Sequence, residues 1–137
     1  MKRLLVDLNV ILDVLLDRRP HVTAAARVWA AVETGTVPGV LPAHAFTTIH
    51  DLAARARGRA FARRTTGDLL RVFDVARVDA AVIRTALSFE WPDFEDAVTA
   101  AAAVAAGCDT LITRDPSGFP DPPLRVIDPE TALTGLA

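Results

Sequence analysis

The 137-residue chain holds one cysteine, Cys108, and one lysine, Lys2. A lone cysteine excludes an internal disulfide and cannot by itself build a zinc site. Long apolar runs are also missing. The longest, Ala97 to Ala106, is interrupted by Thr99 and is shorter than a membrane span. The opening "MKRLLVDLNVILDVLLDRRP" resembles a signal peptide for six residues only, before Asp7 and Asp13 break the apolar region. Export is therefore not expected, nor a membrane location; the expected compartment is the cytoplasm. Excess positive charge is lacking too. A net charge of −2 argues against non-specific adhesion to nucleic acid, while leaving room for a local basic face.

What is present is core. Hydrophobic residues make up 51 % of the chain, which rules out disorder, and the length suits one domain spanning residues 1–137. Short aliphatic runs alternate with helical segments. "RLLVD", "VPGVLP", "DVARVD", "DTLITRD" and "LRVID" read as strands. Helices are expected from Val10 to Leu16, over "HVTAAARVWAAVETG" with Gly35 as its stop, and over "AHAFTTIHDLAARARG". Others follow over "AFARRTTGDLLRVF" with a break near Gly67, over "AAVIRTALSFE", from Asp93 to Gly107, and over "PETALTGL". Strands of continuous apolarity alternating with helices predict an α/β fold: a three-layer α/β/α sandwich around a parallel sheet of about five strands.

Sites in such sheets form beyond the carboxyl ends of the strands. Asp7, Asp115 and Asp128 each end a strand. Asp128, followed by Pro129, reads as the cap of the last helix. Asp7 is followed by Asn9, which could take the capping role and leave the carboxylate free. Asp115 precedes Pro116, which holds it extended, and Thr113 points to the same side. In "WPDFEDAVTAAAAVAAG", Asp93 is the natural N-cap. Asp96 shares a stripe with Ala100, Ala103 and Gly107, small residues that let the helix approach the sheet and turn Asp96 toward the strand ends. Glu95 lies about 100° around the helix from Asp96, toward solvent or the rim. Asp7, Asp96 and Asp115 can thus converge. Unpaired, they would raise one another's pKa, and a hard divalent cation, Mg²⁺ or Mn²⁺, resolves the repulsion. Arg55, Arg57, Arg59, Arg63 and Arg64 fall within ten residues. They are either a solvated surface or a phosphate-contacting patch.

Other acid-rich α/β folds fail on the missing lysines. A phosphoacceptor receiver domain needs a lysine after its last strand, and a haloacid-dehalogenase-like phosphatase needs one late in the chain and a second aspartate where Asn9 stands. No Gly-Lys pair exists for a phosphate-binding P-loop.

"LLVDLNVILDVLLDRRP", "DFEDAVTAAAAVAAGCDTLITRD" and the "SGF" after it resemble the PIN domain, and most closely the VapC-type bacterial toxins in a branch carrying "DFEDA". The correspondence runs through essentially the whole chain. It implies a compact α/β/α fold and an acidic metal site that cuts RNA, with Asp7, Asp96 and Asp115 as catalytic metal ligands and Asn9 and Thr113 supporting them. It also implies an antitoxin partner, whose tail blocks the acidic pocket, and a homodimer. The arginine-rich segment would then hold the RNA backbone. One position departs: Thr48 stands where the family typically has a glutamate, so Asp93, Glu95 or Asp51 would have to supply the missing charge. His44 and His50 lie nearby and read as structural or surface residues. The competing reading is a catalytically weak PIN-fold module that binds RNA or protein.

Overall fold

The computed structural model describes residues 1–136. Five strands form one sheet: β1 (Leu4–Val6), β2 (Gly39–Pro42), β3 (Asp74–Ala76), β4 (Thr110–Ile112) and β5 (Arg125–Ile127), in the order β3-β2-β1-β4-β5. Every neighbouring pair is parallel. The chain runs through α1 (Leu8–Leu15) and α2 (Val22–Glu33) before β2, and through α3 (Ala43–Arg57) and α4 (Arg59–Val72) before β3. It then passes α5 (Ala80–Phe89) and α6 (Phe94–Ala105) to reach β4, and closes with α7 (Pro129–Leu136).

The alternation of side chains across the sheet builds two cores. Leu4, Val6, Leu41 and Ile112 face α1, α2, α3, α4 and α7. Leu5, Val40 and Leu111 face α5 and α6. The expected three-layer sandwich is what forms. Strands β1 and β4 are fully buried, which explains their unbroken apolarity; the edge strands start with exposed Asp74 and Arg125, whose charge discourages pairing with another chain.

Helix α6 buries every residue from Ala97 to Ala103, because alanine lets its backbone lie close to the sheet. Ala100 and Ala103 carry the expected stripe, whereas Gly107 lies past the helix end at φ +77°. Its N–H donates to the carbonyl of Val104 and that of Cys108 to Ala103, a stop that needs the left-handed conformation glycine adopts freely. The break expected near Gly67 does not occur: α4 runs unbroken through it. A helical glycine costs about 1 kcal/mol. Burying Leu69 and Phe73 recovers about 1.5–3 kcal/mol each, so packing outweighs propensity.

Candidate acidic active site

Strands β1 and β4 are hydrogen-bonded neighbours, and Asp7 and Thr113 are the first residues beyond them. The Asp7 N–H donates to the Ile112 carbonyl at 2.9 Å, and the Thr113 N–H to Ile127 at 3.0 Å. By strand alternation both side chains fall on the α6 side of the sheet, and the Thr113 hydroxyl donates to Asp7 Oδ2 at 2.8 Å. Asp7 also accepts from the Leu8 N–H at 2.8 Å. The expectation that Asn9 would free Asp7 from capping is therefore wrong. Asp7 caps α1 itself, and the Asn9 side chain reaches across to β4. Its Nδ2 donates to Thr113 Oγ1 at 3.2 Å, and its Oδ1 accepts from the Arg114 N–H at 3.2 Å. Spacing alone could not tell which of two polar residues takes the cap.

Asp93 is the N-cap of α6 as expected, accepting from the Asp96 N–H at 3.2 Å. Asp96 is half-buried, while Glu95 is exposed at the rim. Asp115 stands at the mouth of β4, where Ser117 donates to its Oδ1 at 2.5 Å. Gly118 links it to Asp96: a Cβ built there would stand 3.1 Å from Asp96 Oδ2 and 3.9 Å from Asp115 Oδ2. A side chain at that position would crowd Asp96 and touch Asp115.

Electrostatics links these acids. Burial pushes Asp7 up to about 6, against the lowering effect of its two hydrogen bonds, with Glu95 and Asp93 adding repulsion. Asp96 rises to about 7, through burial first and then the charges of Asp93, Asp7, Glu95 and Asp115. Among the described residues, every ion pair of an arginine goes to another acid, namely Asp13, Asp17, Asp51, Asp68 or Asp74. None neutralises this group.

The donor set fits a hard divalent ion by its chemistry, carboxylate oxygens with hydroxyl and amide support, and by the clearance that Gly118 leaves beside Asp96 and Asp115. Among the described residues, no three His, Cys, Asp or Glu side chains are drawn in around one point. The fit therefore rests on donor type and clearance rather than on a formed cage.

Other candidates separate. Asp51 is exposed and pairs with Arg55 at 3.2 Å, so it turns away from the acids. Thr48 is half-buried on α3. His44, one turn earlier on the same face, is half-buried and takes a structural place, as expected. Its Nε2 lies 3.3 Å from Thr99 Oγ1 on α6, and burial lowers its pKa while the charge of Glu95 opposes that shift. No sequence signal joins residues 55 positions apart. The arginines cluster around Gly58, where α3 turns into α4. Arg57 stacks over Phe61 at 4.3 Å, and Arg55 and Arg57 also suit the negative end of α3. The length of α3, roughly 20 Å at 1.5 Å per residue, separates them from its start beside the site. A concavity of about 360 Å³ near Arg3, Arg77 and Asp79 contains none of the five acids and has no comparable cluster of like charge.

A family model described as "PIN domain" matches residues 3–117. No curated protein matches the sequence. Among solved structures, a toxin–antitoxin complex from Klebsiella pneumoniae is 20 % identical with a TM-score of 0.69, covering 91 % of this chain and 96 % of its own. VapBC2 from Rickettsia felis, bound to a DNA fragment from its promoter, is 10 % identical with a TM-score of 0.68, covering 92 % and 98 %. Mycobacterium tuberculosis VapC20, described as a sarcin–ricin loop cleaving toxin, is 19 % identical with a TM-score of 0.63, covering 79 % and 86 %. At these identities the likeness carries the fold.

Proposed function

Because this chain belongs to the PIN domain family, we propose that it is a metal-dependent endoribonuclease, the toxin of a type II toxin–antitoxin pair, working in the cytoplasm as one domain of residues 1–137. The observation that supports the reading is Asp96, raised to about 7 by burial first and then by the charges of Asp93, Asp7, Glu95 and Asp115, with no arginine ion pair to any of them among the described residues. A protein gains no stability from such repulsion. A site built to accept a cation needs it.

In this reading the three aspartates hold Mg²⁺ or Mn²⁺, with Asp93 and Glu95 adding charge at the rim. The bound ion supplies a Lewis acid and makes water acidic near neutrality, the chemistry that phosphodiester hydrolysis requires. Thr113 holds one Asp7 oxygen and leaves the other directed by the Leu8 N–H, so the carboxylate is fixed before any ligand arrives. Asn9 keeps Thr113 in place. Asp115, exposed at the strand mouth, is open to an incoming RNA chain, whose backbone the arginines at the α3–α4 turn would hold. RNA as substrate is supported by the description of the Mycobacterium toxin, and an antitoxin partner by the toxin–antitoxin complexes of similar fold. A homodimer fits the excess of hydrophobic residues, with mean hydropathy +0.29.

The test is cleavage of RNA with and without chelator. The expected result is chelator-sensitive cutting by the wild type and none by Asp7→Asn at unchanged folding. Full activity in that variant would remove the proposal. Thr48 at the usual glutamate position favours one alternative, a PIN fold kept as a module that binds RNA or protein. RNA binding without Mg²⁺-dependent cutting would select it.

A further inference from the structure

Asp13 is 1 % exposed, yet its carboxylate has no part in the acidic cleft. Its Oδ1 accepts from Arg114 Nη1 at 2.9 Å, with Arg18 Nη1 farther off at 3.8 Å. Its Oδ2 is buried with no hydrogen-bond partner. A buried carboxylate with an orphaned oxygen, paired to a partly exposed guanidinium, is a poor device for stability, because its desolvation consumes most of the attraction and the bare oxygen adds a further cost. Its place in the fold suggests another use.

Arg114 lies between Thr113 and Asp115. Strand alternation sends those two side chains toward α6 and sends Arg114 to the opposite face, against α1. Asn9 and Asp13, four residues apart, present one face of that helix. Asn9 accepts from the Arg114 backbone and Asp13 from its guanidinium. One helix face thus grips one residue at both ends, just where the β4 ladder has stopped and Asp115 begins a loop.

We propose that Asp13 and Arg114 are positioning residues: their pair on the α1 side fixes the rotation of the β4 terminus, so that Thr113 and Asp115 are presented to Asp96 on the other side. The proposal rests on the metal-site reading above. Its test uses Mn²⁺ alone, measured by calorimetry without RNA. The double variant Asp13→Leu, Arg114→Met replaces the pair with apolar side chains, a change that leaves folds intact or strengthens them. Expected is an unchanged or higher Tm with Mn²⁺ affinity weakened about 10- to 100-fold, the range for partners one step removed from a metal. A second comparison avoids dependence on that fold. Arg114→Lys, which keeps a cation on Asp13, should bind Mn²⁺ more tightly than Arg114→Ala. Arg18→Ala should bind as the wild type does. Wild-type affinity in the double variant, or equal affinities for Arg114→Lys and Arg114→Ala, overturns the proposal alone. A wild-type protein that neither binds Mn²⁺ nor cuts RNA in a chelator-sensitive way removes the nuclease reading and this proposal together.

Discussion

Asp7 and Asp13 stand six residues apart, one capping α1 and the other within it, and both are hidden from solvent, at 7 % and 1 % exposure. Their surroundings are opposite. Asp13 faces two arginines and ends in an ion pair. Asp7 faces a hydroxyl, a backbone N–H and other carboxylates, and is pushed up to about 6. The same side chain, buried in both places, is held in an ion pair where an arginine meets it and chemically loaded where none does. The number of acids at a site therefore teaches less than the identity of the neighbours that each is given.

The contrast can be broken most forcefully from the Asp13 side. Arg114→Ala leaves a buried carboxylate with only the distant Arg18, and should cost about 3 kcal/mol in urea unfolding. Asp7→Asn should cost little or raise stability, since it removes a charge that the fold disfavours. Equal losses in both variants would erase the distinction.

The pH dependence is next in size. Asp7 and Asp96 titrate at about 6 and about 7 in the folded protein, above the 3.8 of a free aspartate. The folded state thus holds protons that the unfolded chain has released, and their stabilising effect is lost as pH rises between about 4 and 7. The metal-free protein should melt at a lower temperature near pH 8 than near pH 5. Asp96→Asn should flatten that slope and raise the Tm at the alkaline end. A calorimetric Tm that rises with pH in the wild type, and equally in the variant, would contradict the charge loading.

A smaller effect sharpens the site itself. Thr48→Glu restores a carboxylate on α3, one turn beyond His44, and should tighten Mn²⁺ binding several-fold; unchanged affinity would mean that Asp93 and Glu95 already supply that charge. The smallest effect belongs to the arginine turn. Removing Arg63 and Arg64 should weaken RNA binding evenly across sequences and lower the salt slope by about one per lost phosphate contact. A loss of cleavage with RNA binding intact would instead put these residues in the chemistry.

Much of the site could be read from the chain. Asp93 and Asp96 follow from capping grammar and a small-residue stripe, and Asp7 and Asp115 from their positions at the ends of apolar strands. The misreading of Asn9 and the unread partners of His44 and Asp13 have a common cause. These residues do their work across gaps of 104, 55 and 101 residues, and periodicity carries no record of such partners. The failed break at Gly67 is of the same kind, since burial on α4 comes from elements distant in sequence.

By itself the sequence determined the alternation of strands and helices, their parallel arrangement and the strand-end placing of the acids. These depend on local rules: the run of apolar side chains, the chemistry of caps, and the stiffness of the residue before proline. Only the folded chain decided which aspartate would be paired with arginine and which left without a basic partner. That choice depends on which side of β4 each side chain leaves and on what α1 and α6 hold against it. A charge a few ångströms away outweighs any local preference, and the distance is set by packing.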